Sequence, residues 1–128
     1  MSATLNQAFG YQDDPMNLPV ADVNAAVQLY EKVLGFTVAA RGAEPHPSAT
    51  LARDSVQMRL VESGGDPTQD GCAFHVTGLD ALLAEFQAGG LAKDSSAISV
   101  EKMDGADWRV FYVVAPDGLC YWFGERQG

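Results

Sequence analysis

The sequence has few of the residues that mark several common classes of protein. Its two cysteines, Cys72 and Cys120, form no C-x-x-C motif, so a structural zinc site has no support, and in a cytosolic chain we expect buried thiols rather than a disulfide. No apolar run approaches the ~20 residues that span a bilayer. The first 16 residues lack the basic start and the apolar stretch of a secretory signal. These absences predict a cytoplasmic protein with no membrane partner.

Basic residues are also scarce. Eight lysines and arginines stand against 17 aspartates and glutamates, which gives a net charge of −9 over 128 residues. This charge repels nucleic acid and anionic membrane surfaces and attracts cationic partners, so we expect no nucleic-acid partner. A second interpretation is that the excess of carboxylates only keeps the protein in solution.

The sequence does contain a short internal repeat. LPVADVNAAVQLY (residues 18–30) aligns without gaps on FHVTGLDALLAEF (residues 74–86) at a constant offset of 56. In each copy a strand-like segment leads into apolar residues spaced i, i+3, i+4 and i+7, which is typical of an amphipathic helix, and glycine follows. Asp22 is a good N-cap for the first helix.

Three strand-like runs follow each predicted helix: FTVAAR, ATLAR and VQMRLVE within 36–62, and AISVEKM, DWRVFYVV and LCYWFG within 97–124. The order β-α-β-β-β therefore occurs twice, which predicts an α+β fold built from two βαβββ modules in one structural domain. We place an N-terminal arm at 1–16, the first module at 17–62, a linker at 63–70 and the second module at 71–128. The arm is either disordered or an extra edge strand.

Two segments carry a resemblance to a known superfamily. VADVNAAVQLYEKVLGF (residues 20–36) is similar to the signature V-x-D-…-F-Y-x-x-V-L-G-F, and RVFYVVAPDGLCYWF (residues 109–123) is similar to R-x-F-…-D-P-D-G-N-…-F, with Ala115 in place of the first aspartate. On these motifs the chain resembles the vicinal oxygen chelate superfamily, which holds glyoxalase I, extradiol dioxygenases, and fosfomycin- and bleomycin-resistance proteins. The resemblance implies paired, curved mixed sheets with outer helices that enclose a cleft. It says much less about function, because one fold hosts many chemistries.

In the enzymes of that superfamily, His and Glu at four inward-facing positions hold a divalent metal. The resemblance places these positions at Pro15, Arg59, Gly71 and Trp122. None of the four side chains can bind a metal in the expected way. The resemblance therefore implies no metal and no cofactor, and it is closest to the bleomycin-resistance type. The alternative is a metal-dependent lyase, isomerase or dioxygenase with displaced ligands, namely His75 with Glu125 or Glu62.

The last strand, LCYWFG, is apolar on both alternating faces, whereas a surface strand alternates apolar with polar residues. If Trp122 occupies a former ligand position, then Cys120 and Gly124 also face the cleft. Leu119, Tyr121 and Phe123 would then pack under the second helix.

The same alternation selects further residues for the cleft. It turns Gln57, Arg59 and His75 inward, and a tight hairpin across Pro116 and Asp117 would pair Phe111 with Trp122. The predicted ligand-binding residues are Gln57, Arg59, His75, Phe111 and Trp122.

Three of these side chains have competing interpretations. Trp122 is a stacking platform for a flat or cationic ligand, or it fills the space that a metal once held. Arg59 clamps a ligand carboxylate or phosphate, or it pairs with an acidic side chain. His75 is the one candidate for a catalytic residue, as general base or metal ligand, but a lone histidine on a strand is more often structural.

We therefore expect a homodimeric protein that binds a small aromatic or cationic molecule in a metal-free cleft without altering it. If the chain is an enzyme instead, the resemblance implies a lyase or oxidoreductase of the glyoxalase or dioxygenase type. Antibiotic sequestration is the role that the bleomycin-resistance type suggests. A third hypothesis is an interaction module whose clefts are filled by side chains. The linker allows the modules to pair within one chain or across two chains.

Overall fold

The computed structural model describes residues 3–10, 16–44, 46–92, 95–103, 105–115 and 118–127, with the backbone alone at 69 and 95. Its helices and strands, in chain order, are β1 (Thr4–Gly10), β2 (Leu18–Pro19), α1 (Val23–Lys32), β3 (Thr37–Gly42), β4 (Ser48–Arg53), β5 (Val56–Val61), β6 (Gly71–Thr77), α2 (Leu79–Ala88), β7 (Ser99–Met103), β8 (Ala106–Val114) and β9 (Cys120–Gln127). Neither of the described helices, at ten residues each, is long and apolar enough to cross a membrane.

The strands of the described residues form two mixed sheets. One has five strands in the order β1-β6-β9-β8-β7, and the other has four in the order β2-β5-β4-β3. In each sheet the first strand of a module runs parallel to the last strand of the same module, β2 beside β5 and β6 beside β9. This architecture confirms the predicted α+β class with paired βαβββ modules.

Part of the N-terminal arm forms an edge strand on the sheet of the second module. β1 runs antiparallel to β6, with Phe9 opposite Ala73. Its backbone also contacts the turn between β4 and β5. The Asp54 carboxylate accepts the Leu5 N–H at 2.9 Å, and the Ser55 hydroxyl donates to the Asn6 carbonyl at 3.1 Å. The arm therefore links the two sheets.

Each sheet turns one face into a single hydrophobic core that also holds both helices. The rings of Phe36 and Phe74, one from each module, lie 5.9 Å apart, and the hydroxyls of Tyr30 and Tyr121 form a buried hydrogen bond. At the edge of the core, the Arg53 guanidinium donates hydrogen bonds to the Glu85 carboxylate on α2. The two modules therefore meet through their helix-bearing faces, and the second face of each sheet points away from this core.

Acidic side chains cap the start of both helices. Asp22 is the N-cap of α1, as predicted, and Glu62 accepts the first backbone N–H of that helix at 2.9 Å. α2 follows Gly78, which has φ of 83° and no side chain to act as a cap. The Glu125 carboxylate takes that role, because it accepts two backbone N–H groups there at 2.9 and 3.1 Å. Both glutamates of the metal-site alternative are thus occupied at helix ends.

The capping geometry leads us to expect that Glu125→Ala lowers the free energy of unfolding by about 1–2 kcal/mol, since two N–H groups lose a charged acceptor. Chemical denaturation followed by circular dichroism measures this loss. The matched control is Glu31→Ala at an exposed position of α1, which should change stability by less than about 0.5 kcal/mol. Equal effects of the two substitutions would contradict the capping role.

Candidate functional site

The second face of the five-stranded sheet is rich in aromatic side chains. Alternation along β9 directs Tyr121 and Phe123 into the core, and Trp122 lies on the opposite face with a separate cluster of buried residues, as predicted. We call this surface the aromatic face and define it by Phe9, His75, Trp108, Tyr112 and Trp122. It borders an open cavity of about 640 Å³.

One row of residues across the sheet forms the floor of this cavity. The strand registers place Phe9, Ala73, Trp122 and Tyr112 side by side on β1, β6, β9 and β8. The small Ala73 side chain between two large rings leaves a hollow in the row. Phe9 is 48% exposed and Tyr112 is 37% exposed, so both present aromatic surface to solvent.

Trp122 is packed closely but still lines the cavity. Its indole lies across the backbone of Gly124, where an added Cβ would overlap the ring. Its ring centroid is 5.7 Å from that of Trp108 and 6.0 Å from that of His75, and the residue is only 7% exposed. The ring therefore fills the space over Gly124 and also forms part of the cavity wall.

A carboxylate lies at the edge of the row. Glu101 on β7 accepts hydrogen bonds from the Tyr112 hydroxyl at 2.6 Å and from the Trp122 indole N–H at 3.2 Å. The hydrogen bond to Glu101, together with partial burial, raises the pKa of Tyr112 to about 12. Tyr112 is therefore a neutral donor at physiological pH. The hydrogen bonds from Tyr112 and from Trp122 together fix the position of the Glu101 carboxylate.

His75 projects from β6 onto the aromatic face. Its ring lies 4.9 Å from that of Phe9 and 4.6 Å from that of Trp108. The described residues hold no group of three or more His, Cys, Asp and Glu side chains arranged to bind a metal. The immediate ring contacts of His75 are thus aromatic, and Glu62 and Glu125 are directed at helix ends instead.

The prediction for Phe111 is wrong. In the structure Phe111 lies opposite Phe123, and Tyr112 takes the place opposite Trp122. The connection between β8 and β9 spans residues 115–119, closed by a hydrogen bond from the Ala115 N–H to the Leu119 carbonyl at 2.8 Å. This length shifts the register by one residue relative to a tight hairpin, so Phe111 is fully buried in the core.

Gln57 and Arg59 do not share a cavity with His75 and Trp122, in contrast to the predicted common set. They lie on β5 of the four-stranded sheet and line two other cavities. The physical reason is that both modules bury their helix-bearing faces in one core. The outer faces of the two sheets therefore point in different directions and line different cavities. Pro15 lies outside the described residues.

The two cysteines lie on opposite faces of neighbouring strands, and Cys120 lies on the face that the alternation predicted for it. Cys72 is fully buried in the core, but Cys120 is half-buried and lines the cavity of the aromatic face. The expectation of two buried thiols is therefore right for Cys72 alone. No disulfide joins them.

Several residues of the site were not identified from sequence, namely Phe9, Glu101, Met103, Trp108 and Tyr112. Alternation along DWRVFYVV would have selected Trp108 and Tyr112 once the hairpin register was known. Glu101 follows from the pairing of β7 with β8, which places it opposite Trp108. Phe9 enters the site because β1, in the N-terminal arm, pairs with β6, which is distant in sequence.

The family model described as Glyoxalase/Bleomycin resistance protein/Dioxygenase superfamily matches residues 14–92. No curated protein sequence matches the chain.

Among solved structures, the chain is similar to a protein from the mobile metagenome of V. Pseudocholerae, with a TM-score of 0.68, 19% identity, and coverage of 90% of this chain and 94% of that one. It is similar to a bleomycin resistance determinant encoded on the transposon Tn5, with a TM-score of 0.65, 23% identity and coverage of 88% and 96%. It is also similar to a bleomycin-binding protein complexed with bleomycin, with a TM-score of 0.61, 24% identity and coverage of 96% and 98%. At these identities the likeness shows the fold.

The Glu101–Tyr112 hydrogen bond makes a prediction about ionisation. Phenolate absorbance, compared between the wild type and Tyr112→Phe, should show Tyr112 no more than about one-tenth ionised at a pH of about 11. Glu101→Gln should move this ionisation down toward a pH of about 10. Because the folded-state pKa is the higher one, the bond stabilises the folded state below the unfolded pKa, and this contribution is lost as pH rises toward 12. Half-ionisation of Tyr112 near pH 10 in the wild type would count against the bond.

Proposed function

This chain belongs to the Glyoxalase/Bleomycin resistance protein/Dioxygenase superfamily, and within it we propose a binding protein that sequesters a planar aromatic cation without altering it. The observation that carries the proposal is the row of rings on the aromatic face, with the Glu101 carboxylate at its edge. Rings supply stacking surface and the carboxylate supplies a counter-charge, so the site suits a ligand with both properties.

The exposed rings give the proposed site its stacking surface. Phe9 and Tyr112 stand on either side of the buried Trp122, and the hollow at Ala73 lies between Phe9 and Trp122. A flat ligand that enters this hollow would contact Phe9 and the wall formed by Trp122 together. Aromatic pairs of this kind add about 0.5–1.5 kcal/mol beyond the burial of area.

Charge favours a cation over an anion at this site. Of the described residues that line the cavity, none is a lysine or an arginine. Glu101 supplies local negative charge, and the net charge of −9 adds long-range attraction. Arg59 would have opposed a cationic ligand if it had lined the same cavity, but it lies on the other sheet.

The similar structures support sequestration as the role. One of them is a bleomycin resistance determinant, and another is a bleomycin-binding protein complexed with bleomycin. These two proteins suggest antibiotic sequestration as the role, and because identity to both is below 25%, the ligand is defined only by the chemistry of the aromatic face. We retain the cytoplasm as the predicted location.

We propose further that the site acts without a metal. Three of the four positions that the resemblance assigns to metal ligands, Arg59, Gly71 and Trp122, carry no suitable donor. The carboxylates that would have to join His75 instead accept hydrogen bonds from helix N-termini. A metal-dependent reaction would need at least three donors converging on one point.

We also propose a homodimer in which a second copy covers part of the aromatic face. Phe9, Tyr112 and Val114 expose apolar surface there, with Val114 61% exposed. Tyr112 and Val114 are neighbours on one face of β8, and exposed apolar patches mark interfaces in many proteins. Sedimentation should give twice the chain mass of 13.6 kDa. Val114→Lys should shift the protein toward monomer, whereas Val100→Lys, at a residue 67% exposed on β7, should not. A monomeric wild type would refute the dimer.

The binding proposal predicts a selective response to substitution. Titration with a panel of planar aromatic cations, followed by tryptophan fluorescence, should show saturable binding by at least one compound. Trp122→Ala should weaken that binding by about tenfold or more, because it removes both the floor of the site and one donor to Glu101. Glu101→Gln keeps the size of the side chain but removes its charge. It should weaken the binding of cations and leave the binding of neutral analogues unchanged.

Val100→Ala is the matched control, since Val100 lies on the same strand as Glu101 but points away from the aromatic face. It should leave the affinity unchanged. Equal affinity in the wild type and in folded Trp122→Ala would remove the aromatic face from the function.

The metal-free proposal has a separate test. Protein purified without chelators and without an affinity tag should contain far less than one transition metal ion per chain by mass spectrometry. His75→Ala should not change that content. A stoichiometric metal that disappears in His75→Ala would instead establish the metal-dependent alternative.

A further inference from the structure

A polar cavity, separate from the cavity of the aromatic face, lies on the outer face of the four-stranded sheet. Its volume is about 260 Å³, and its polar lining residues are Asn17, Glu44, His46, Ser48, Arg59 and Ser63. These residues come from the segments next to β2, β3, β4 and β5, so the fold brings four parts of the first module together there. We propose that this cavity is a binding site for an oxyanion, namely the carboxylate or phosphate group of a small molecule.

Arg59 is the group that carries the proposal. It is half-buried on β5, and its Nε donates to the Met16 carbonyl at 2.7 Å, which fixes the plane of the guanidinium. The two terminal nitrogens keep four N–H donors in the fork that matches a carboxylate or a phosphate. Within the described chain Arg59 forms no ion pair.

Two other arginines, Arg53 and Arg109, have a structural role, because each guanidinium pairs with a carboxylate of the same chain. Arg53 binds the Glu85 carboxylate through both terminal nitrogens, at 2.5 and 2.8 Å, and Arg109 binds Asp80 in the same way at 2.8 and 2.9 Å. Both forks are therefore filled by a carboxylate of the same chain. Arg59 has the same fork facing a cavity, which is the position that a carboxylate or phosphate of a ligand would complete.

The rest of the lining is suited to an anion. His46, Ser48, Ser63 and Asn17 each carry at least one side-chain donor that can bind an oxygen of the ligand. Glu44 is the one acidic residue of the described lining, and it is exposed. Because the whole protein carries a charge of −9, long-range repulsion should keep the affinity modest. Recognition then rests on the geometry of the fork and the surrounding donors.

This proposal does not depend on the function proposed for the aromatic face. The cavity belongs to the other sheet and shares no lining residue with the cavity at Trp122. Loss of cation binding in Trp122→Ala should therefore leave anion binding unchanged, and each proposal can fail without the other.

The test is a titration of ¹⁵N-labelled protein with inorganic phosphate and, separately, with acetate, with chloride at matched ionic strength as the reference. At least one of the two oxyanions should cause saturable shifts in the Arg59 Nε–H signal and in the amides of Ser48 and Ser63, and chloride should not. Binding of phosphate but not acetate would assign the site to phosphate groups, and the reverse would assign it to carboxylates.

Arg59→Gln should weaken the binding by about tenfold or more, since it removes the charged fork. Arg41→Gln is the matched control, because Arg41 lies on β3 of the same sheet, is exposed and binds Asn24 instead. If Arg59→Gln does not fold, His46→Ala is the second variant and should also weaken binding. Non-saturable shifts, shifts equal to those with chloride, or unchanged affinity in folded Arg59→Gln would overturn the proposal.

Discussion

The alternation of side chains along β9 determines both the hydrophobic core and the candidate site. This strand lies between β6 and β8 in the five-stranded sheet, and its residues 121–124 are buried on both faces of that sheet. Tyr121 and Phe123 close the core, and Trp122 between them lies on the aromatic face over Gly124. A slip of one residue would exchange the two faces and destroy both the core and the site.

The same strand also joins the site to the stability of the second module. Glu125 follows Gly124 on β9 and points to the helix side, where it caps α2. The bond between Tyr121 and Tyr30 ties β9 to the first helix. Residues that alternate along one strand thus divide between two tasks. Odd-numbered positions hold the modules and helix together, and even-numbered positions form the surface that we propose binds the ligand.

Local patterns were sufficient to predict the order of elements, the N-cap at Asp22 and the two faces of β9, because each depends on residues close in sequence. The error at Phe111 arose from loop length. One residue more or less in the connection between β8 and β9 changes which side chains share a face, and periodicity within β8 cannot reveal it.

The grouping of Arg59 with Trp122 failed for a different reason. It required the relative placement of the two modules, which is set by packing in the shared core rather than by any local pattern. Phe9 and Glu101 were missed on similar grounds, since each enters the site through pairing between strands. The sequence therefore predicts the modules well and predicts only part of the surface that they build.

Reaction of the native protein with a thiol reagent at neutral pH tests whether β9 has one face in the core and a binding surface on the other. Burial raises the pKa of Cys72 to about 12 and encloses it in the core, whereas Cys120 lines the cavity. We expect peptide mass spectrometry to find modification at Cys120 alone, slowed by a bound planar aromatic cation, with Cys72 reacting only after unfolding. Modification of Cys72 in the native protein at the rate of Cys120, or a Cys120 that a saturating ligand does not protect, would contradict the account.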